Sequence, residues 1–211
     1  MSALEVQIEN MLNASLAVPM RVAVATAILE PSALTTAEQA KFGELARTAR
    51  AKSWLMGRAA LKGLLNKIGR DPDTAELAFP NKELSLSHSG ELAIAVFSDS
   101  KFVSGVGVDV EFVRIVKPGT ARFFLVEHEQ TYIFALPDSE RSIELLRLWT
   151  VKESLFKADI NNNGRGLKNY TALDPKSLSG KASIGDNNSE FCYASVQLDS
   201  LVISGALNMV N

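Results

Sequence analysis

Hydrophobic and polar positions alternate along some stretches of the chain and follow a helical period along others. The β-rich apolar run at 21–29 predicts a core strand. The stretch at 36–68, rich in Ala, Leu, Lys and Glu, predicts a long helical region that Gly69 and Pro72 close. Further short strands are predicted in this first half, at 75–79, 84–88 and 92–98.

The second half repeats this order of elements. The alternating run GVGVDVEFV at 105–113 predicts a strand, and helical segments are predicted at 119–135 and 139–158, before an Asn/Gly-rich loop at 161–169. Three closing strands with two turns are predicted, at 181–185, 191–198 and 201–209, with turns at 186–188 and 199–200. The pattern therefore predicts an α+β protein made of two similar α/β halves, residues 1–103 and 104–211, packed side by side.

Composition supports a compact globular protein. The chain has 211 residues, 46% of them hydrophobic, and a net charge of only −2, so nothing global favours nucleic-acid or membrane-surface binding. Between positions 41 and 70, however, eight Lys or Arg residues accompany a single acid, Glu44. We expect an anionic ligand to bind near this basic stretch.

Cysteine usage and hydropathy predict a cytoplasmic location. Cys192 is the only cysteine, which excludes an intramolecular disulfide and a cysteine-based zinc site. The sequence shows neither an N-terminal export signal nor an apolar run approaching the roughly 18 residues of a membrane span.

The strand GVGVDVEFV carries the first candidate chemistry. Alternation divides it into two faces, one with Val106, Val108, Val110 and Phe112 and the other with Gly105, Gly107, Asp109 and Glu111. We interpret the two glycines as space for a ligand or hard cation beside the two carboxylates. The alternative is a half-exposed strand whose outer face is acidic.

The helix LWTVKESLFKA carries the second candidate. Glu153 interrupts the apolar stripe of Leu145, Trp149 and Phe156. It could join Asp109 and Glu111 around magnesium, which prefers oxygen ligands. Alternatively, Glu153 forms a plain ion pair with Lys157, four residues further along the helix.

Arg58 and the segment LSLSHSGE could bind phosphate. Arg58 lies within the helical stripe formed by Trp54, Leu61, Leu65 and Ile68, where it could reach a phosphate or could instead lie on a solvated helix edge.

In the segment LSLSHSGE, three serines share one face, and His88 lies on the other face with two leucines. A hydrolase triad is not favoured, because the segment lacks the GxSxG pattern. His88 is either a donor to phosphate or a core histidine.

Taken in order, GRAALKGLL, SLSHS, GVGVDVE, WTVKESLFKA and GRGL resemble the successive signatures of the Sfp-type 4′-phosphopantetheinyl transferases, over about residues 50–167. The resemblance implies a pseudo-dimer of two α/β halves, with coenzyme A and the active site in the cleft between them. It implies transfer of the phosphopantetheine group from coenzyme A to a serine of an apo acyl or peptidyl carrier protein, with release of adenosine 3′,5′-bisphosphate. Because the cleft lies within one chain, a monomer is expected.

The resemblance also implies roles for single residues. Asp109, Glu111 and Glu153 would hold Mg²⁺, and Lys157 would contact the pyrophosphate and assist departure of the nucleotide. Glu129 matches an acidic position considered for proton transfer. Residues that match positions around coenzyme A are Arg50, Arg58, Ser87, His88, Ser89 and Lys152, with Lys82 in the divergent segment PNKE as a further phosphate contact.

A basic and apolar segment follows the predicted metal strand and is expected to dock the acidic carrier protein. Its residues are Arg114, Lys117, Arg122, Phe123 and Phe124.

Two other functions are alternatives. One is a non-catalytic module of the same fold that only binds coenzyme A. The other is a magnesium-dependent nucleotidyl or phosphoryl transferase of another family, which lacks support because the sequence has no GxxxxGK[ST], HRD, DFG or GxGxxG motif.

Overall fold

A computed structural model describes residues 1–185 and 187–210. Its α-helices are α1 (Ala3–Leu16), α2 (Thr36–Leu45), α3 (Ala51–Lys67), α4 (Ala121–Phe124), α5 (Glu127–Ala135) and α6 (Asp138–Ala158). Its strands are β1 (Arg21–Ala25), β2 (Leu84–Ser89), β3 (Leu92–Phe97), β4 (Val103–Phe112), β5 (Tyr170–Ala172), β6 (Ser179–Ile184), β7 (Asn187–Leu198) and β8 (Leu201–Met209). Single 3₁₀ turns lie at Pro31–Ala33, Pro118–Thr120 and Leu167–Asn169.

The first half is an antiparallel sheet in the order β1-β3-β2, covered on one face by α3. β3 is buried along its whole length, because β1 and β2 flank it and apolar residues of α3, among them Leu61 and Leu64, pack against it. The turn between β2 and β3 contains Gly90 at φ +54°, a left-handed conformation that favours glycine. This confirms the predicted turn at 89–90.

The helical region predicted at 36–68 is two helices. A capping box on Thr35 starts α2, and the chain then turns between Leu45 and Ala51 before α3 begins. Thr48 stabilises this turn, because its hydroxyl donates to the carbonyl of Leu45 and accepts from the backbone NH of Arg50. The Ala-rich composition gave no sign of the break.

Two strand predictions in the first half are corrected. The strand predicted at 21–29 ends at Ala25. The segment predicted as a strand at 75–79 is instead a turn, in which the NH of Leu77 donates to the carbonyl of Thr74 and the NH of Ala75 donates to Asp73.

The second half is an antiparallel sheet in the order β4-β8-β7-β6-β5, with α6 packed across it. β8 coincides with the predicted strand 201–209. β5 escaped prediction, since three residues are too few to show an alternating pattern. The predicted turn at 186–188 includes Asp186, which lies outside the described residues.

The two halves share a core. Helix α1, which the sequence analysis left unassigned, places Ile8, Leu12 and Leu16 against apolar residues of both sheets, including Val22 and Ile203. Each half thus has one long helix on one antiparallel sheet, although the second sheet is the larger. The mixed α+β architecture with two sheets confirms the predicted fold class.

Across residues 1–185 and 187–210, each helix is too short or too polar to cross a membrane.

Candidate active site

Two glycines let helix α6 lie directly on β4. A Cβ atom on Gly105 would lie 1.9 Å from the carbonyl oxygen of Ala158, and one on Gly107 would lie 1.8 Å from that of Ser154. Any side chain at either position would therefore push the helix away from the strand. The space interpreted from the sequence as clearance for a ligand is filled by α6, which corrects that interpretation.

The predicted alternation along β4 is confirmed. Val106, Val108 and Val110 are buried in the shared core. On the opposite face, Asp109 is buried and Glu111 is half-buried. The close approach of α6 places its own polar residues beside these two carboxylates.

Lys157 on α6 pairs with Asp109. Its ammonium group lies 2.7 Å from Asp109 Oδ1 and also donates to Ser87 Oγ and the carbonyl oxygen of Val108, both at 3.2 Å. These three oxygens provide an acceptor for each of the three protons of the Lys157 ammonium group. The alternative ion pair between Glu153 and Lys157 is not formed among the described residues.

Asp109 keeps one oxygen without a partner. Oδ2 is buried and accepts no hydrogen bond from the residues that the structure describes. A buried carboxylate oxygen without a donor is costly, so this atom is a candidate ligand for a cation.

Glu153 lies close enough to the two strand carboxylates to feel their charge. Burial raises the pKa of Glu153, Lys157 lowers it in part, and the negative charges of Asp109 and Glu111 raise it again. Three carboxyl groups held together in this way repel one another unless a cation or protons intervene.

The serines of β2 join the two halves of the molecule. Their hydroxyls accept hydrogen bonds from alternate backbone NH groups of β4: Ser85 from Val108 (3.0 Å), Ser87 from Val110 (3.3 Å) and Ser89 from Phe112 (3.4 Å). Two of them also donate to carboxylates, Ser87 to Asp109 Oδ1 at 2.7 Å and Ser89 to Glu111 Oε2 at 2.9 Å. We call these three residues the serine row.

A cleft of about 650 Å³ opens where the halves meet. One wall is formed by β2 and the loop before it, and the other by β4, α6 and the loop after α6. The lining residues are Phe79, Pro80, Ser85, Leu86, Ser87, His88, Asp109, Glu111, Trp149, Glu153, Phe156, Lys157, Asn162 and Asn163. The structure thus brings together the three predicted metal ligands, Lys157, Ser87 and His88.

The cleft carboxylates suit a hard divalent cation. The donors are oxygens, one of them has no partner, and the three like charges are close to one another. Within the described ranges, the His, Cys, Asp and Glu side chains do not form a ready-made group of three or more metal ligands. Lys157 occupies Asp109 Oδ1, so a cation would share or take over that position.

Lys152 and Glu129 are not among the residues that line the cleft. Both side chains are fully enclosed, and their ion pair measures 2.6 Å. Lys152 also donates to the carbonyl of Tyr170, and Glu129 accepts from the backbone NH groups of Val126 and Ala172 at 2.9 Å. Burial lowers the pKa of Lys152, and Glu129 raises it in part. These contacts describe a structural ion pair. Contact of Lys152 with coenzyme A and proton transfer by Glu129 both stay predictions.

The predicted arginine contacts also lie outside the cleft lining. Arg58 is buried beside Trp54, 5.0 Å from the ring centroid, and donates to the carbonyl of Thr74 at 3.2 Å. Its Nε has no partner among the described residues, and burial lowers the pKa of Arg58. The burial of Arg58 excludes the alternative that it lies on a solvated helix edge. Arg50 and Lys82, in contrast, are exposed.

Several cleft residues were not predicted as site residues. Phe79, Pro80 and Asn163 come from loops on either side of the opening, and Trp149 and Phe156 were interpreted only as an apolar stripe. The run of three asparagines at 161–163 was a usable signal, since amide side chains before a glycine-rich loop are poor core residues.

The comparisons with known proteins bear on the second half. Among solved structures, the chain is similar to a holo-[acyl-carrier-protein] synthase of Thermotoga maritima, with 18% sequence identity and a TM-score of 0.44, over 52% of this chain and 65% of that chain. No curated protein matches it. The family model of the 4′-phosphopantetheinyl transferase superfamily matches residues 105–204. The segment that carries all three cleft carboxylates and Lys157 is thus similar to the 4′-phosphopantetheinyl transferase superfamily.

Proposed function

We propose that this protein is an Sfp-type 4′-phosphopantetheinyl transferase that modifies a serine of an apo acyl or peptidyl carrier protein. The observation that carries the proposal is the convergence of Asp109, Glu111, Glu153 and Lys157 on one cleft between the halves, with Asp109 Oδ2 buried and unpartnered. The family-model match over the same segment supports it.

Asp109, Glu111 and Glu153 would hold Mg²⁺ in the proposed enzyme. When bound, the ion would neutralise charge on the pyrophosphate of coenzyme A. The cleft is large enough for part of an extended ligand, and His88 at its edge is exposed and free to approach a phosphate.

The reaction we propose is displacement at phosphorus. The carrier serine oxygen forms a bond to the β-phosphorus of coenzyme A, the bond from that phosphorus to the bridging oxygen breaks, and adenosine 3′,5′-bisphosphate leaves. The cleft orients the two reactants, and Lys157 stabilises the negative charge that grows on the leaving phosphate.

The serine proton needs an acceptor. Glu129 was predicted as one candidate, but it is enclosed and bonded to Lys152. Glu153 lines the cleft, so we propose Glu153, directly or through water, as the group that takes the proton.

The carrier is proposed to dock beside the cleft on the segment 113–123. Ile115 and Phe123 are 89% and 67% exposed, and Arg122 stacks on Phe123 with 4.8 Å between the guanidinium carbon and the ring centroid. Arg114 lies 3.5 Å from Glu111, which connects this surface to the carboxylates. Phe124 is buried, which removes it from the predicted docking surface.

Both walls of the cleft come from one chain, which supports the proposal of a functional monomer.

The test is incubation with coenzyme A, Mg²⁺ and a panel of apo carrier proteins, followed by mass spectrometry of the carrier. The proposal predicts a mass gain of one phosphopantetheine group, abolished by EDTA and lowered at least about 100-fold in rate by Asp109→Ala, about 3 kcal/mol of transition-state stabilisation. Full activity of a folded Asp109→Ala variant would contradict the assignment. Coenzyme A binding without transfer to any carrier would instead favour the non-catalytic binding module.

A further inference from the structure

We infer that Ser87 is a positioning residue for the proposed metal site, and that it acts on Asp109 from the other half of the molecule. This inference rests on the proposed function. It replaces the expected contact of Ser87 with the nucleotide by a role toward the carboxylates.

The hydrogen bonds of Ser87 carry the inference. Its hydroxyl has one proton, which it donates to Asp109 Oδ1 at 2.7 Å. The oxygen accepts from the NH of Val110 at 3.3 Å and from Lys157 at 3.2 Å. With these three bonds, Ser87 has no proton left to donate to a phosphate in this arrangement.

These bonds fix the orientation of Asp109. Ser87 and Lys157 both hold Oδ1, which leaves Oδ2 as the oxygen available to a cation. The Asp109 side chain is only 8% exposed, so water contributes little to its orientation. A partner that orients a ligand in this way commonly changes metal affinity by roughly 10–100-fold when it is removed.

The chain offers a matched control within the serine row. Ser85 and Ser87 lie two residues apart on β2, are 2% and 6% exposed, and each accepts from a backbone NH of β4. Among the described contacts, Ser87 reaches a carboxylate and Ser85 does not. Ser85→Ala therefore removes one bond between the halves and leaves Asp109 as it is.

The experiment measures Mn²⁺ affinity in the absence of coenzyme A, by electron paramagnetic resonance or calorimetry, on Ser87→Ala, Ser85→Ala and Ser87→Thr. Circular dichroism melting of each full-length variant confirms that it is folded. We expect Ser87→Ala to weaken Mn²⁺ binding roughly 10–100-fold, Ser85→Ala to change it less than about twofold, and Ser87→Thr, which keeps the hydroxyl, to restore most of the affinity.

Three results would overturn the inference. Unchanged affinity in Ser87→Ala would show that Asp109 is oriented without the serine, while the proposed transferase would stand. An equal loss in Ser85→Ala would assign the effect to docking of β2 on β4 in general. Absence of Mn²⁺ binding by the unaltered protein would remove the metal site of the proposed function and, with it, the role of Ser87.

Discussion

Helix α6 carries two lysines that pair with carboxylates in opposite ways. Lys152 and Glu129 are both fully enclosed, and the bonds to Glu129 come from Lys152 and two backbone NH groups. Lys157 and Asp109 lie at the cleft, where Asp109 Oδ2 has no partner among the described residues and Glu153 adds a further negative charge.

This difference distinguishes an ion pair that supports the fold from one that belongs to a candidate ligand-binding site. A buried ion pair is tolerated when additional hydrogen bonds satisfy its atoms, and it then contributes mainly to defining the fold. A cluster with a spare acceptor and excess negative charge needs a further cation or a proton to balance it. The comparison therefore assigns a structural role to the pair of Lys152 and Glu129, and ligand binding to the cluster around Asp109.

Breaking the enclosed pair should have the largest effect. Lys152→Met leaves Glu129 buried without its counter-charge, and we expect the free energy of unfolding to fall by about 3–5 kcal/mol in urea denaturation. The matched control is Lys181→Met, because Lys181 pairs with Glu190 on an exposed surface and its loss should cost less than about 1 kcal/mol. Equal small losses in both variants would contradict the structural role.

A second enclosed carboxylate should make the protein sensitive to acid. Burial would by itself raise the pKa of Glu38, but hydrogen bonds from Lys62, Thr74 and Thr35 outweigh it and lower the pKa to about 2, from 4.5. Because the folded-state pKa is depressed, the stabilisation is present above about pH 4.5 and is lost as the pH falls towards 2. The shift corresponds to about 3 kcal/mol.

Denaturation profiles of Glu38→Gln and the unaltered protein between pH 2 and 7 would test this assignment. We expect the variant to be the less stable at neutral pH and to lose less stability on acidification. Parallel profiles would show that other groups determine the acid response.

Removing the cleft lysine should separate metal binding from catalysis. Lys157→Met frees Asp109 Oδ1 from a competing cation, so Mn²⁺ affinity without coenzyme A should rise about tenfold, about 1.4 kcal/mol, while the rate of transfer falls. Lys168→Met, at an exposed position, should change neither quantity. Weaker Mn²⁺ binding in Lys157→Met would contradict the competition.

The smallest effect is expected at the docking surface. Arg122→Glu should raise the KM for an acidic carrier protein up to about fivefold, an effect of less than about 1 kcal/mol that high salt diminishes, and leave the KM for coenzyme A unchanged. Arg47→Glu, an exposed reversal outside the proposed surface, is the control. Equal responses in both variants would argue against docking at this place.

The sequence predicts the two long strands β4 and β8 better than it predicts where the helices begin and end. β4 was found because its two faces alternate in character, and β8 because an apolar run follows the turn at 199–200. The break between α2 and α3 was missed because it depends on hydrogen bonds of Thr48 within an Ala-rich stretch that otherwise favours helix. Helix α1 was missed although Ser2 caps it and Ile8, Leu12 and Leu16 share one face.

In the candidate site, too, alternation along a strand could be predicted, whereas contacts between elements could not. Alternation along β4 predicts the face that carries Asp109 and Glu111. It does not explain why position 107 is a glycine, because that depends on how closely α6 packs on β4. The two lysines of α6 could not be told apart from spacing, since the enclosure of Lys152 depends on Glu129 and the carbonyl of Tyr170. Alternation placed the three serines of the serine row on one face, but their hydrogen bonds to β4 do not follow from it, because they depend on how the two halves pack.

An anomalous difference map from crystals of the protein soaked with Mn²⁺ and coenzyme A would locate the proposed metal site directly. We expect a peak in the cleft that is coordinated by Asp109, Glu111 and Glu153, with the enclosed pair of Lys152 and Glu129 unchanged. A Mn²⁺ ion bound elsewhere, or a cleft whose carboxylates stay without metal at saturating Mn²⁺, would contradict it.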